Sequence, residues 1–477
     1  MDELEKIRRE RDKRPVVRER APNRDELALG HAWGTEEGRD VFQMKGVSQD
    51  DRASHFYIIG ASGKGKTKFI EYLIRQDMWH NQNYAAAPGF GVIDPHGDLY
   101  HEVKACLLSA HDQFKNRVVL IDPTDKERSV CFNPLELSEG VEPIQQVKEL
   151  LAAFEKIYGD SWGQRLEALL RNTLIVLIEN GMTMAEIPLL LTNETIRKKL
   201  LRNVKNETCV AYFENDFEEW SKYDKVNWRQ STLNKIDAFI TDKRLKRIFM
   251  SPKSSIDLRD IMDNGKILLV NLSTGDLGED ASKLFGSLLV TKLKQAAMKR
   301  GQEERRPFYL YIDEFQNFAA DNFVDVINET RKYNLRLTLA HQNLAQLTTK
   351  LRASILNCGL QAYFQVSRPD AEVLAKEAFP GVFGETPPWE DCFAALQKLP
   401  TRQFWFKSKQ GGGMAHLLAP EVVSFRQPLS LEEKNESEMP FGGDYTRLNE
   451  DIDREYRERM RVLMGGEKES DSYFEPI

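Results

Sequence analysis

The sequence predicts an α/β protein with a parallel sheet covered by helices on both faces, and three observations carry that prediction. Short apolar runs alternate with helical stretches at 55–59, 90–94 and 117–122, and again at 266–272, 308–312, 335–340 and 360–366. The run at 55–59 leads through a glycine-rich turn at 60–67 into an amphipathic run at 69–74, the order strand, loop, helix. Between residues 141 and 255 the rhythm stops and the pattern is helical throughout, so this stretch reads as an all-helical domain inserted into the α/β domain.

Taken in order, residues 1–28 are a charged arm, with helical potential to about residue 23, and a small β-like region follows at 33–47. The first half of the α/β domain spans 29–140. Pro88-Gly89 punctuates the chain before the strand ending at Asp94, and 99–108 reads as a helix. Within the insertion, Leu166, Leu169, Leu170, Leu174, Leu177 and Ile178 follow helical spacing, and Gly181 stops the run. Thr183 with Glu186 fits a capping box, and further helices are expected near 195–203 and 228–241. The second half of the α/β domain spans 256–425 and ends in a hairpin, 403–407 with 414–418, joined through Gly411-Gly412-Gly413. Residues 426–477 are charged, poor in apolar side chains, and expected to be an exposed tail.

The chain has 477 residues, enough for two or three domains; 41% are hydrophobic and 30% charged, which suits a globular protein with a large core. No apolar run approaches the roughly 18 residues that span a bilayer, and the first twenty residues carry both charge signs, unlike a secretory signal. Cys106, Cys131, Cys209, Cys358 and Cys392 lie far apart and form no C-x-x-C pair, so reduced thiols are expected rather than disulfides or zinc. A net charge of −7 gives no global attraction to nucleic acid, so any such site must be a local basic surface.

The turn is Gly60-Ala61-Ser62-Gly63-Lys64-Gly65-Lys66-Thr67, which fits the phosphate-binding P-loop. Its glycines let successive N–H groups curl around one anion, and the following helix adds its positive N-terminal end. Lys66 supplies a point charge for terminal phosphates and Thr67 a hydroxyl for magnesium. The run at 308–312 ends in Asp313-Glu314. A buried strand tip there presents Asp313 to magnesium, directly or through water, and places Glu314 to polarise an attacking water. The bland alternative, a core strand with an acidic cap, loses weight beside a P-loop. Gln342, at the end of a neighbouring strand, is placed to contact both a γ-phosphate and the attacking water; a strand-end capping role is its alternative. Arg331 is either an arginine finger delivered across a subunit boundary or a surface arginine at a helix end. The basic groups Lys243, Arg244, Lys246 and Arg247, and Lys299-Arg300 with Arg305-Arg306, are more often solvated faces than nucleic-acid contacts.

Seven blocks occur in order: GASGKGKT, VIDPHGDL, FNPLE, YIDEFQNF, RKYNLRLTLAHQNLAQL, SILNCGLQAYFQV and RPDAEVL. Over roughly residues 29–418 they resemble the HerA/FtsK superfamily of DNA-pumping ATPases, most closely the TraG/TraD-like coupling proteins of conjugation and type IV secretion. The resemblance implies a RecA-like P-loop NTPase domain with an inserted all-α domain, ATP and Mg2+ as cofactors, and a homohexameric ring that threads DNA. It matches the P-loop at Gly60, Gly63, Gly65, Lys66 and Thr67, the Walker B pair at Asp313 and Glu314, the family glutamine at Gln342 and the trans-acting arginine at Arg331. In coupling proteins the all-α domain faces the cytoplasm and is thought to receive cargo. Two features depart from the pattern. The N-terminal transmembrane helices of anchored coupling proteins have no counterpart, and the barrel that precedes the motor in HerA-type proteins is truncated. The expected location is therefore cytoplasmic, either peripheral at the inner face of the cell membrane through a separate membrane partner or away from any membrane; membrane-anchored secretion components and a relaxase are the candidate protein partners. A soluble HerA-like translocase in DNA processing or antiviral defence, and a nucleotide-controlled cargo adaptor, are the competing expectations. A water-activating carboxylate at Glu314 weighs against a pure adaptor.

Overall fold

The computed structural model describes residues 16–18, 26–36, 39–83, 87–137, 140–301, 305–319, 323–379, 388–409, 414–425 and 445–465. Two compact units emerge. One gathers residues 1–119, 259–270 and 294–442, and the other 120–258, 271–293 and 443–477.

The first unit is organised by a sheet. Its strands in chain order are β1 (Val16–Arg18), β2 (Glu26–Glu36), β3 (Arg39–Ser48), β4 (Phe56–Ile59), β5 (Gly89–Asp94) and β6 (Val118–Ile121). After β7 (Arg128–Val130), which pairs elsewhere, come β8 (Ile267–Asn271), β9 (Phe308–Ile312), β10 (Leu335–His341), β11 (Leu360–Tyr363), β12 (Gln403–Ser408) and β13 (Met414–Leu418). Among the described residues the spatial order is β1-β3-β2-β13-β12-β11-β4-β10-β9-β5-β8-β6. The pairs β11–β4, β4–β10, β10–β9 and β9–β5 are parallel. From β11 outward through β12, β13, β2 and β3 the pairing is antiparallel. The division has a plain cause. The parallel strands β4, β9 and β10 are buried along their whole length, as strands covered on both faces are; β4 and β9 read as continuous apolar runs, while β10 buries Arg336, Thr338 and His341 among its apolar residues. The antiparallel strand β12 instead alternates buried with half-buried positions. The hairpin of β12 and β13 is as expected, while its glycine turn lies outside the described residues.

Register decides where the parallel strands end. Ile59 of β4 lies opposite His341 of β10 and Tyr363 of β11, and Ile312 of β9 lies opposite Leu339 and Ile93. The carboxyl ends of four neighbouring strands therefore finish nearly flush. The segments that leave them, 60–67, 313–317, 342–346 and 94–98, emerge on one edge.

The second unit is mostly helical. Pro143–Tyr158, Gln164–Glu179, Ile187–Thr192, Glu194–Leu201, Lys222–Thr241 and Lys243–Phe249 are its main helices in the stretch that the sequence marks as helical. The six residues from Leu166 to Ile178 predicted to share a face are all buried. Their helix closes in a Schellman turn: Met182 N–H donates to Leu177 O, Gly181 N–H donates to Ile178 O, and Gly181 takes φ +64°. The Thr183–Glu186 capping box is present, with Glu186 Oε2 accepting from Thr183 N–H at 2.8 Å.

Two terminal expectations need correction. Val16–Arg18 is a short strand parallel to β3 rather than part of a helical arm; its two adjacent β-branched residues favour extension. The rest of the arm lies outside the described residues. Nor is the C-terminal segment wholly an exposed tail. β14 (Thr446–Leu448) pairs with β7, and the helix Asn449–Leu463 follows. Ile452 is buried against Cys131, Ala185 and Met250, with Tyr456 beside it. Arg459 is paired with the buried Glu186 at 2.8 Å. One narrow apolar stripe and a few ion pairs are enough to dock a helix that is otherwise charged. All five cysteines are free thiols. No helix among the described residues is long and apolar enough to cross a membrane.

A buried polar knot braces the first unit. Arg52, ahead of β4, donates to both oxygens of Asp77 at 2.7 Å, and Tyr311 on β9 donates to the same carboxylate at 2.6 Å. The Arg52 guanidinium lies 3.3 Å from the Tyr309 ring centroid. Burial opposes the Arg52 charge, but Asp77, Tyr311 and Tyr309 outweigh it and hold its pKa above the ordinary arginine value. Replacing Arg52 by Ala leaves Asp77 buried without its cation and is expected to cost about 3–5 kcal/mol. The double change Arg52→Met with Asp77→Leu should cost much less, and urea unfolding of the two variants followed by circular dichroism reads the difference.

Candidate nucleotide site

The turn after β4 curls tightly, as its glycines lead one to expect. Gly63 and Gly65 take φ of +73° and +100°, which a side chain would resist, and this curls the loop into the helix Lys66–Asn83. Neighbouring strands stitch the loop in place. Gly60 N–H donates to His341 O at 3.4 Å and Ala61 N–H donates to Gln365 O at 2.7 Å. Lys66 is 5% exposed and folds back on the loop, its Nζ donating to Gly60 O at 2.6 Å and Ala61 O at 3.2 Å.

Asp313 and Glu314 leave β9 directly beside this loop. Thr67 Oγ1 donates to Asp313 Oδ2 at 2.9 Å, although 246 residues separate the two in sequence. Glu314 takes φ +45°, unusual for a residue with a side chain; its N–H donates to Asp313 Oδ1 at 3.0 Å and its carbonyl accepts from Asn317 N–H. That kink swings the Glu314 carboxylate toward β10, where Gln342 Nε2 donates to Oε1 at 2.9 Å. The eight P-loop residues, Asp313, Glu314 and Gln342 thus converge at one edge of the sheet.

Asp313, Glu314 and Asp94 concentrate carboxylates in a buried place. Burial, then the charges of Glu314 and Asp94, push Asp313 up to about 6, and the Thr67 hydrogen bond and Lys66 offset this only in part. Asp94 is 1% exposed and is fixed by His96 N–H and Tyr100 N–H at 2.9 Å each. Burial depresses Lys66 below the ordinary lysine value against the pull of Glu314 and Asp313. His341 is pushed down to about 3, by burial and then by Lys66, so it stays neutral behind the loop with Nε2 2.6 Å from the Tyr57 hydroxyl. A hydroxyl and a carboxylate side by side, short of positive charge, are hard-oxygen donors of the kind that magnesium takes alongside water and phosphate oxygens. Among the described residues no group of three or more His, Cys, Asp or Glu side chains forms a self-sufficient metal cage.

Arg331 stands apart. It opens a short 3₁₀ turn, Arg331–Tyr333, just before β10, and its side chain is exposed. Gln342 follows the other end of that seven-residue strand. At about 3.3 Å per residue the two ends are about 20 Å apart, beyond the reach of an arginine side chain. Arg331 therefore does not reach the P-loop of its own chain. A buried histidine ties its neighbourhood to β4: His55 Nδ1 accepts Leu337 N–H at 3.0 Å and Nε2 donates to Ile327 O at 2.8 Å. Burial pushes His55 down to about 4, leaving it neutral.

The basic groups are largely used internally. Arg247 forms two hydrogen bonds to Asp453, Arg244 forms two to Asp242, Lys243 lies 3.5 Å from Asp453, and Lys246 faces the Tyr456 ring. Arg300 is no solvated residue at all; its side chain is fully buried and bonded to Asp263 at 2.6 Å. Arg402 has no place in the sequence reading, yet it lies on the P-loop. It takes φ +71°, its N–H donates to Lys64 O at 3.0 Å, and its guanidinium is held by Ala419 O. Nothing local marks it, because the contact arises from the β12 turn meeting the loop.

Residues 50–293 match the family described as the central domain of the helicase HerA, and residues 307–378 match the TraM recognition site of TraD and TraG. Among solved structures, the bacterial conjugative coupling protein TrwB in its unbound form aligns with a TM-score of 0.55 at 14% identity, covering 80% of this chain and 88% of that one. TrwB in complex with ADP and Mg2+ aligns with a TM-score of 0.54 at 14% identity, over 80% and 89%. VirB4 of Thermoanaerobacter pseudethanolicus gives 0.54 at 17% identity, over 85% of this chain and 99% of that one. At such identities the likeness is one of fold, the RecA-like α/β arrangement. No curated protein matches the chain.

The crowding at Asp313 makes a stability prediction with a definite sign. With its pKa raised from 3.8 to about 6, the folded protein holds a proton that the unfolded chain releases. Stability owed to this group is complete below 3.8 and is lost as pH rises through about 6. Asp313→Asn removes the charge and can keep both contacts, Oδ1 accepting Glu314 N–H and Nδ2 facing Thr67 Oγ1. It is expected to stabilise the nucleotide-free protein at pH 7.5 by about 1–3 kcal/mol, with the gain vanishing near pH 4. Thermal melting across pH checks this, and added magnesium nucleotide should raise the melting temperature of the wild type more than that of the variant.

Proposed function

This chain belongs to the HerA helicase central-domain family and is a P-loop ATPase, and from that premise we propose that it is an ATP-driven DNA translocase, a coupling-protein-like motor for conjugative transfer or type IV secretion. The Thr67–Asp313 hydrogen bond at 2.9 Å carries the reading, because it joins the phosphate cradle and the acidic strand tip in one pocket.

Lys66 and the amides of residues 60–67 receive the β- and γ-phosphates of ATP. The Thr67 hydroxyl and the Asp313 carboxylate are the groups that hold Mg2+, whose chemistry is to neutralise charge on the phosphates. Lys66 must then leave the Gly60 and Ala61 carbonyls for the nucleotide. Glu314 orients the attacking water. Gln342, bonded to Glu314 without nucleotide, exchanges that partner for the γ-phosphate and so registers its presence and loss. Arg331, too far from its own P-loop, completes the site of a neighbouring chain in a homohexameric ring. DNA is the polymer moved, held mainly through its phosphates. The motor works on the cytoplasmic side, attached peripherally to the membrane through anchored secretion components, with a relaxase as a further partner. The TrwB and VirB4 folds, and the match of residues 307–378 to the TraM recognition site, support this setting.

Two measurements test the assignment. Glu314→Gln should bind ATP within a few-fold of wild type while DNA-stimulated turnover falls by at least about 10²-fold; near-normal turnover would remove Glu314 from catalysis. Arg331→Ala should lower turnover by about 10³-fold or more. Mixing it with Lys66→Ala subunits should restore part of the rate, since each chain supplies what the other lacks; a mixture that exchanges subunits and stays inactive would refute a shared site.

A further inference from the structure

We infer that Gln316 is a positioning residue that restrains ATP hydrolysis by holding the Glu314 carboxylate in a parked state. The inference rests on the reading of Glu314 as the water-orienting carboxylate and assigns a control to that site. Glu314 is 6% exposed and both of its oxygens are taken: Gln342 Nε2 donates to Oε1 at 2.9 Å and Gln316 Nε2 donates to Oε2 at 2.7 Å. Each amide turns its nitrogen to the carboxylate, as a donor must. The two amides differ in their prospects. Gln342 has a second proposed partner in the γ-phosphate. Gln316 sits on the acidic loop itself, two residues from Glu314, in the short 3₁₀ turn Phe315–Asn317. Phe315 anchors that turn; it is fully buried, stacked on Phe323 and edge-on to His341. When Gln342 turns to a phosphate, Gln316 still holds Oε2.

Gln316 Oε1 is buried with no hydrogen-bond partner. Such an orphan acceptor is costly, and it gives the amide a reason to turn when a donor arrives. Turning releases Oε2, and Glu314 is then free to address water. The kink at Glu314, φ +45°, sits between the two amides and is fixed by Asp313 Oδ1, so the carboxylate moves by side-chain rotation without disturbing the strand.

The test compares Gln316→Met, which keeps the volume and removes the donor, with Gln316→Ala and with Glu314→Gln, each as the full chain. ATPase is assayed with and without linear plasmid DNA. In both Gln316 variants turnover without DNA should rise about tenfold, the effect of losing roughly one charge-assisted hydrogen bond. The KM for ATP should stay within twofold and the DNA-stimulated maximum should be unchanged, so stimulation by DNA shrinks by the same factor. A merely structural glutamine would instead lower both rates together. Turnover without DNA that falls or stays level in Gln316→Met, while Glu314→Gln is inactive, overturns the restraint alone. A Glu314→Gln variant that turns over normally overturns the catalytic reading and the restraint with it.

Discussion

The flush carboxyl ends of β4, β10, β9 and β5 are the constraint on which the site depends. Side chains alternate along a strand, so a slip of one residue would turn Asp313 away from Thr67 and Gln342 away from Glu314. The register is protected because each of these strands is buried on both faces, with Ile58, Ile59, Leu310, Tyr311 and Leu339 at or near full burial. The Arg52–Asp77–Tyr311 knot locks β9 to the helix that follows the P-loop. Core packing and the chemistry of the pocket are therefore one problem: whatever holds the sheet in register also sets the distance between cradle and carboxylates.

Around that geometry the charges are arranged in tension. Asp313, Glu314 and Asp94 crowd a place from which water is largely excluded, while Lys66 is tied to loop carbonyls. Stability is sacrificed locally, and a divalent cation with an anionic ligand is the charge distribution that relieves the strain. The neutral state of His341 fits the same scheme, because it adds no fixed cation that would quiet the site without nucleotide.

Much of this was legible in the amino-acid sequence for a physical reason. The P-loop needs glycines at fixed offsets, the β9 strand needs an unbroken apolar run, and Asp313 and Glu314 follow that run immediately, as Gln342 follows the end of β10. Each signal is local. The helix from Leu166 to Ile178, its stop at Gly181 and the capping box at Thr183 were legible on the same grounds. Groups that reach the site through tertiary pairing were not. Arg402 arrives on a turn whose positive φ is carried by arginine instead of glycine, and Asp94, although within the block VIDPHGDL, shows its part only through its charge beside Asp313. Gln316 is one letter in a loop until its amide is seen on Glu314. The helix Asn449–Leu463 was hidden by its charge, since Ile452 and Tyr456 make too thin a stripe to stand out. The basic groups divide: Lys243 and Arg244 stay exposed beside Asp453 and Asp242, whereas Arg300, which reads as a solvated residue, is buried on Asp263.

The position of Arg331 bears on how such a chain behaves when alone. Its cation lies at the amino end of β10 and its phosphate cradle at the carboxyl end of β4, so one molecule cannot bring the two together. On the proposed reading, an isolated protomer is an idle one. Dilution would silence it, crowding onto a common track would wake it, and fuel would be spared wherever no ring has closed.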